Sequence, residues 1–332
     1  MFLFWVLAFG SLSTQTTLDK SLSDFDVFET RTAGSFEDGT LVVAGRIQLI
    51  YLNPDGSLKQ LIGSQGQGPG EFQRIHRLTF DGDLIVVSDH GNRRLSIWNS
   101  EGELQREMQF PADMVFEFSM SGETLYGLKD LAGHFEGRPS LVRYGSPVTT
   151  IWEKKLPGTM PLTSASLEGG REIAMLVSWD PRLAYALGKD FLAVSWPGDG
   201  QIHLVDLKTD EVMTSFGCSL PRYPITDDDV DRQVESFDSE YRSALARGLH
   251  RAEFWPALSA LVVDDQQRIW AFSHRRTQEE PYTSTMFDAK GHVMGTIKVP
   301  GVPIQIRKDS CVITIERDDE IWLQKLVFRL ES

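Results

Sequence analysis

Cysteine is nearly absent from this chain. Only Cys218 and Cys311 occur in 332 residues, which excludes a disulfide-stapled scaffold and a cysteine-rich zinc module. The two fall in units that the repeat described below makes non-neighbours, so both are expected as buried free thiols. Basic charge is also in short supply: 47 acidic against 33 basic residues give a formal net charge of −14. A field of that sign repels a phosphate backbone, and nucleic acid is not an expected partner. Past the first ten residues no apolar stretch is long enough to cross a bilayer, so no transmembrane domain is expected beyond an N-terminal apolar anchor. Short catalytic signatures are missing too. There is no His-Glu-x-x-His, no Gly-x-Ser-x-Gly, no Walker motif and no cysteine pair at zinc spacing. Their absence lowers the standing of an enzyme without removing it, because a site assembled from distant strands needs no short motif.

What is present begins with Met1-Phe-Leu-Phe-Trp-Val-Leu-Ala-Phe-Gly10, an apolar run of signal-peptide length followed by the small residues Ser11 and Ser13. Residues 1–18 are read as a signal peptide or a short apolar anchor, which makes the expected location extracytoplasmic, periplasmic or secreted. No Lys or Arg precedes the run, a departure from the usual leader, and no cysteine follows it, so a lipoprotein is not supported. With 41% hydrophobic and 24% charged residues the composition is that of a folded soluble chain. A chain of 332 residues exceeds one compact core, which requires several domains or a repetitive architecture.

Repeats are found. From about residue 40, short β-branched and aromatic runs recur in pairs around polar turns: 40–44 with 48–52, 84–88 with 94–98, 125–127 with 140–144, 191–195 with 201–205, 268–272 with 283–287, and 311–315 with 321–328. Equivalent turns at Gly56, Gly102, Pro147, Asp210 and Gly291 are spaced by 46, 45, 63 and 81 residues. The first two spacings match one four-stranded blade, and the longer two require insertions. The fold expected is an all-β, six-bladed β-propeller over residues 25–330, since a ring leaves no long exposed sheet edge. A pair of β-sandwiches is the alternative. The sixth unit holds only three strands, at 304–307, 311–315 and 321–328, and Phe25-Asp-Val-Phe-Glu-Thr30 is expected to supply the fourth and close the ring.

The second unit carries a specific motif. Gly66-Gln-Gly-Pro-Gly-Glu-Phe72 leads into strands 78–82 and 84–88, a turn Asp89-His-Gly-Asn-Arg93, and Leu95-Ser-Ile-Trp98. This segment resembles an NHL repeat, with Asp89, Asn92 and Arg93 in the turn positions; the other units lack the turn. Over residues 25–330 the chain is similar to bacterial exported six-bladed propellers of uncharacterised role, a resemblance that implies fold and not activity.

The longest insertion, residues 224–252 between blades 4 and 5, reads as helical. Thr226-Asp-Asp-Asp229 matches a capping box, and Val230, Val234, Phe237, Tyr241, Leu245 and Leu249 recur at helical spacing. The alternation Asp227, Asp229, Asp231 resembles the start of a calcium loop, but Arg232 stands where its glycine belongs, and charge at a helix start explains it better. The glycines at 63, 66, 68 and 70 are not followed by Gly-Lys-Ser/Thr, so they read as a connection between blades and not as a phosphate cradle.

In a propeller the connections leading into each blade share a face with the turns between its second and third strands. Here that face gathers 63–77, 89–94, 130–138, 196–200, 274–282 and 317–320. His76, Arg77, His90, Arg93, His134, His274 and Arg275, with Arg276, are expected to converge there at the channel mouth around an anionic ligand. The plain alternative is that loops are polar, and that Asp89, Asn92 and Arg93 pin their own turn. No metal ligand set and no cofactor is assigned; with only Asn53, Asn92 and Asn99, an Asn-rich gluconolactonase-like metal site is hard to build. The function expected is an exported module binding a protein, a peptide or a small anionic ligand. The competing expectations are a propeller hydrolase or lyase with a metal at the channel mouth, and a structural envelope component.

Overall fold

Runs such as Leu41-Val-Val-Ala44 are apolar at every position, where a strand with one wet face would alternate. The computed structural model, which describes residues 12–25, 27, 33–110, 117–129, 137–157, 163–166, 172–275, 277 and 280–330, gives the reason. Each blade is sandwiched between two others. Leu41 and Val43 pack toward blade 6, with Val312 and Leu323, whereas Val42 and Ala44 pack toward blade 2, with Leu78, Ile85 and Val87. Alternate side chains of one strand thus enter two cores, both dry, and each fully buried aliphatic contributes about 1.5–3 kcal/mol.

The molecule is a six-bladed β-propeller. Blade 1 is Ala33–Ser35, Leu41–Ala44, Leu49–Leu52 and Leu58–Ile62; blade 2 is Ile75–Asp81, Leu84–Asp89, Arg94–Trp98 and Leu104–Gln109. Blade 3 is Phe118–Ser121, Thr124–Lys129, Ser140–Tyr144 and Thr149–Glu153; blade 4 is Ala184–Leu187, Phe191–Ser195, Gln201–Asp206 and Val212–Gly217. Blade 5 is Leu258–Val263, Ile269–Ser273, Tyr282–Phe287 and Val293–Val299. The first strand of each lies innermost. The turns anticipated at Gly56, Gly102 and Gly291 join third to fourth strands, with φ of 84°, 77° and 85°, and each is followed by a bulge in the strand pair.

Blade 6 combines Ile306–Arg307, Ser310–Arg317 and Glu320–Leu330 with the N-terminal strand Leu12–Ser21, which pairs from Leu12 with Leu330 to Ser21 with Trp322. The closing strand is therefore 12–21 and not 25–30. The fourth position is filled before the chain reaches Phe25, which packs beside the core between blades 6 and 1; residues 26 and 28–30 lie outside the described residues. Leu12 to Leu18 fall inside the segment expected as a leader, so removal of residues 1–18 would take most of the closing strand with it. Residues 1–11 are also outside the described set.

Two insertions meet on one face. The hairpin Thr163–Ser166 with Glu172–Met175 interrupts blades 3 and 4, and helices α1 (Asp227–Glu235) and α2 (Arg242–Arg247) interrupt blades 4 and 5. The capping box forms: Thr226 Oγ1 accepts from Asp229 N at 3.3 Å, and Asp229 Oδ2 accepts from Thr226 N at 2.8 Å. The apolar spacing spans two short helices, because the first ends at Ser236, whose hydroxyl donates to Gln233 O (2.7 Å), and Arg242 bonds the Glu235 and Phe237 carbonyls. Hairpin and helices share a core of Val177, Trp179, Ile225, Phe237, Leu245 and Trp255, separate from those between blades. Both cysteines are buried and unpaired, as expected.

Blade spacing leaves little tolerance at Gly34. A β-carbon there would lie 2.3 Å from Phe80 Cε2 of blade 2, inside the aromatic contact of Phe80 with Phe36. Gly34→Val is expected to destabilise by about 1–3 kcal/mol through overpacking, read as an earlier midpoint in urea. An unchanged midpoint would show that the blade 1–blade 2 contact is not tight.

Candidate functional site: the central channel and the loop face

Every innermost strand starts at the face that carries the long connections, here the loop face, and runs to the turn before its second strand, on the inner-turn face. Sequence order along these strands is therefore order of depth. Residues from all six blades line a cavity of about 410 Å³ on the axis, which reaches the inner-turn face at Glu37, Asp81, Gly188, Asp265 and Arg307. The lining runs along the innermost strands and the turns after them: 77–82 in blade 2, 119–121 in blade 3, 185–189 in blade 4, 261–265 with Gln267 in blade 5, 303–307 in blade 6, and Glu37 of blade 1. Hydrogen-bonding groups such as Thr79, Ser119, Ser121, Tyr185 and Gln305 and apolar ones such as Leu187, Leu261 and Val263 are interspersed around the lining.

The arginines of this wall are matched. Deepest, Arg77 Nη1 lies 3.2 Å from Glu117 Oε1 across the blade 2–blade 3 contact. Burial alone would lower the Arg77 pKa, and the Glu117 carboxylate outweighs it and raises it. Burial also raises the Tyr185 phenol, keeping it a neutral donor near Ser119, and raises the Asp81 carboxyl against the pull of a hydrogen bond from Gly122 N (2.8 Å). At the mouth Arg307 meets Glu37 at 3.3 Å and Asp83 at 3.4 Å, and the Gln305 amide fits with its nitrogen on Ser35 O and its oxygen on Arg307. Buried Asp264 accepts from Trp270 Nε1 (2.8 Å) and Arg268 Nε (2.5 Å), and Arg268 reaches Asp309 of blade 6 (2.6 Å), which ties two blades together beside the mouth.

The residues expected to converge are distributed instead. Arg77 alone among them lines the channel. His76 and His90 come together in blade 2, ring centroids 4.3 Å apart, with Phe110 edge-on to His90 at 5.3 Å. Arg93 sits exposed in the turn at φ 51°. His274 and Arg275 belong to blade 5, on the opposite side of the ring: His274 packs on Trp255 of the helical insertion at 5.2 Å, and Arg275 stacks over Tyr282 at 4.7 Å. That stack borders a second cavity of about 570 Å³ between blades 5 and 6, lined also by Gly301, Glu316 and Arg317. His134 and Arg276 lie outside the described residues.

The turn motif of blade 2 is an internal brace. Asp89 is fully buried and accepts from Gln73 N, Arg74 N, Asn92 N and Asn92 Nδ2, while Asn92 Nδ2 also donates to Gly66 O. The inward arginine is Arg94, bonded to the Gln67, Gly68 and Glu71 carbonyls. Among the described residues no three His, Cys, Asp or Glu side chains come together as a metal site would require. The channel residues Tyr185, Glu117, Gln305 and Arg307 were not singled out from the sequence; the signal available was polar alternation at 77, 79 and 81, usable only once the strand is known to be innermost.

His274 records how the insertion is seated. Burial, then the charge of Arg182, pushes its pKa down to about 4 from an ordinary value of 6.5. The native state thus holds it neutral while the unfolded chain takes a proton, so its contribution to stability is present above pH 6.5 and is lost as pH falls toward 4. His274→Phe is expected to flatten the fall in unfolding temperature over that window; a variant as steep as the parent would count against this seating.

No protein-family model matches the chain, and no curated protein matches it. Among solved structures, a Bacteroides fragilis protein named as an exported protein superposes with a TM-score of 0.53 at 13% identity, over 97% of this chain and 96% of that one. A member of the DUF4221 family from Bacteroides vulgatus gives 0.47 at 11% identity, over 97% and 100%. A catalytically inactive virginiamycin B lyase of Staphylococcus aureus with quinupristin gives 0.46 at 12% identity, over 96% and 99%. At these identities the likeness is one of fold, and it rests on the first of the three.

Proposed function

We propose that this chain is an extracytoplasmic binding module whose ligand occupies the axial channel from the inner-turn face. The observation that carries the reading is a cavity of about 410 Å³ lined from all six blades by hydrogen-bonding groups and aliphatic side chains together. Because Arg77 is matched by Glu117, and Arg307 by Glu37 and Asp83, the wall favours a small net-neutral molecule with both polar and apolar groups over the simple anion expected from the loops. The apolar run at the N-terminus supports an extracytoplasmic location, and the braced Asp89 turn supports kinship with NHL-type propellers. The rival reading, a hydrolase or lyase with a metal at the mouth, draws no support from the described residues.

A screen of neutral sugars, polyols and amino acids by thermal shift, followed by calorimetry, tests the proposal. The expected outcome is a ligand that stabilises the parent and binds roughly tenfold more weakly to Tyr185→Phe, which deletes one hydroxyl and no packing. The double variant Arg77→Gln/Glu117→Gln removes both charges together, leaves no orphaned ion and should also weaken binding. A ligand bound equally by parent and variants would place the site elsewhere.

A further inference from the structure

The loop face of blades 1 and 2 gathers exposed arginines at adjoining positions. Arg46, Arg74 and Arg93 are all exposed there, and among the described residues none of the three makes an ion pair. Six arginines elsewhere, Arg77, Arg106, Arg143, Arg268, Arg307 and Arg317, each face a carboxylate within 3.3 Å, while Arg182, Arg222, Arg247 and Arg329 are exposed singly, so what sets the patch apart is that three such arginines adjoin. The three belong to one patch. Ile75 N donates to Arg46 O (2.8 Å), His90 N to Arg74 O (2.9 Å) and Arg93 N to His90 O (3.4 Å), which stitches the second turn of blade 1, the glycine-rich connection and the second turn of blade 2 side by side.

Among the described residues, three neighbouring carboxylates are turned inward. Asp89 is consumed by backbone amides and Asn92, Glu71 accepts from Gly68 N at 2.8 Å, and Glu107 lies 3.2 Å from the buried Arg94. The His76–His90 pair sits among the arginines with Phe110 against its edge. Burial first, then His76 and Arg74, holds the His90 pKa down to about 4 against the opposing charge of Asp89. Arg46, Arg74 and Arg93 are exposed, so the patch offers an open surface.

We infer that this patch is a docking surface for an acidic polypeptide segment of another protein. Charge complementarity selects the occupant: a long polyanion or a charged membrane would extend past the patch and meet the repulsion of a chain with net charge −14, whereas a short acidic segment stays over the arginines. The surface is independent of the channel, which opens on the other face.

The test uses a fluorescein-labelled ten-residue oligoglutamate as probe, titrated by anisotropy at several salt concentrations. The triple variant Arg46→Gln/Arg74→Gln/Arg93→Asn keeps a residue tolerant of positive φ at 93. The parent is expected to bind with an affinity that falls steeply with salt, and the variant to bind at least about tenfold more weakly at an unchanged unfolding temperature. Arg222→Gln/Arg247→Gln, in the helical insertion and the segment leading into it, should bind as the parent does. Equal binding by triple variant and parent, or no binding by the parent, overturns the proposal. So does arginine-dependent binding to phosphatidylserine vesicles or inorganic phosphate without binding to the peptide. Failure here leaves the channel reading standing, because Tyr185→Phe does not touch this face.

Discussion

Pairing between Leu12–Ser21 and Glu320–Leu330 is the constraint on which the ring depends. Each blade offers two apolar faces, and a blade with no neighbour would leave one face in water. The antiparallel ladder between the two ends of the chain removes that possibility, because it makes blade 6 a single sheet built from both termini. Blade 6 then holds its place between Trp270 and Phe272 of blade 5 and Leu41 and Val43 of blade 1. With the ring closed, the six innermost strands have fixed positions, and the polar wall of the channel is held by packing that lies entirely behind it.

The blades were legible in the sequence where burial is symmetric. Second and third strands such as Leu84–Asp89 and Arg94–Trp98 are buried at nearly every position, so they stand out as apolar runs, and Gly56 and Gly102 mark their turns by a conformation that favours glycine. Outermost strands are wet on one side. Leu12–Ser21 reads Leu-Ser-Thr-Gln-Thr-Thr-Leu-Asp-Lys-Ser, with Gln15, Thr16 and Thr17 exposed, and its affinity for Glu320–Leu330 comes from backbone pairing that leaves no trace in hydropathy. Phe25 to Thr30 attracted the assignment by being more apolar. The capping box at Thr226 was legible for the opposite reason: its logic is contained in four consecutive residues.

The site was less legible because its residues are spaced around an axis. Arg77 was found, but its partner Glu117 is forty residues on, and Tyr185 and Arg307 are farther still. Loop histidines and arginines drew attention by type, yet type does not reveal direction. Adjacent residues illustrate the difference: Arg93 faces water while Arg94 disappears into the glycine-rich connection and bonds its carbonyls. Which of two neighbouring arginines is structural depends on where the turn ends: Arg93 stands in it at φ 51°, and Arg94 opens the strand that pairs with Leu84–Asp89.

Closure through the N-terminal strand also has a consequence in time. Synthesis from the N-terminus makes Leu12–Ser21 before blades 1 to 5 and its partner, Glu320–Leu330, after them. Blades 1 to 5 can assemble in order on local contacts, each covering one face of its predecessor, while the first strand waits unpaired as a polar segment rich in Thr and Ser. Its hydrophilic character keeps that waiting edge from attracting other chains. The same weak hydropathy that hides the strand from a reader of the sequence therefore protects the nascent molecule until its final residues arrive.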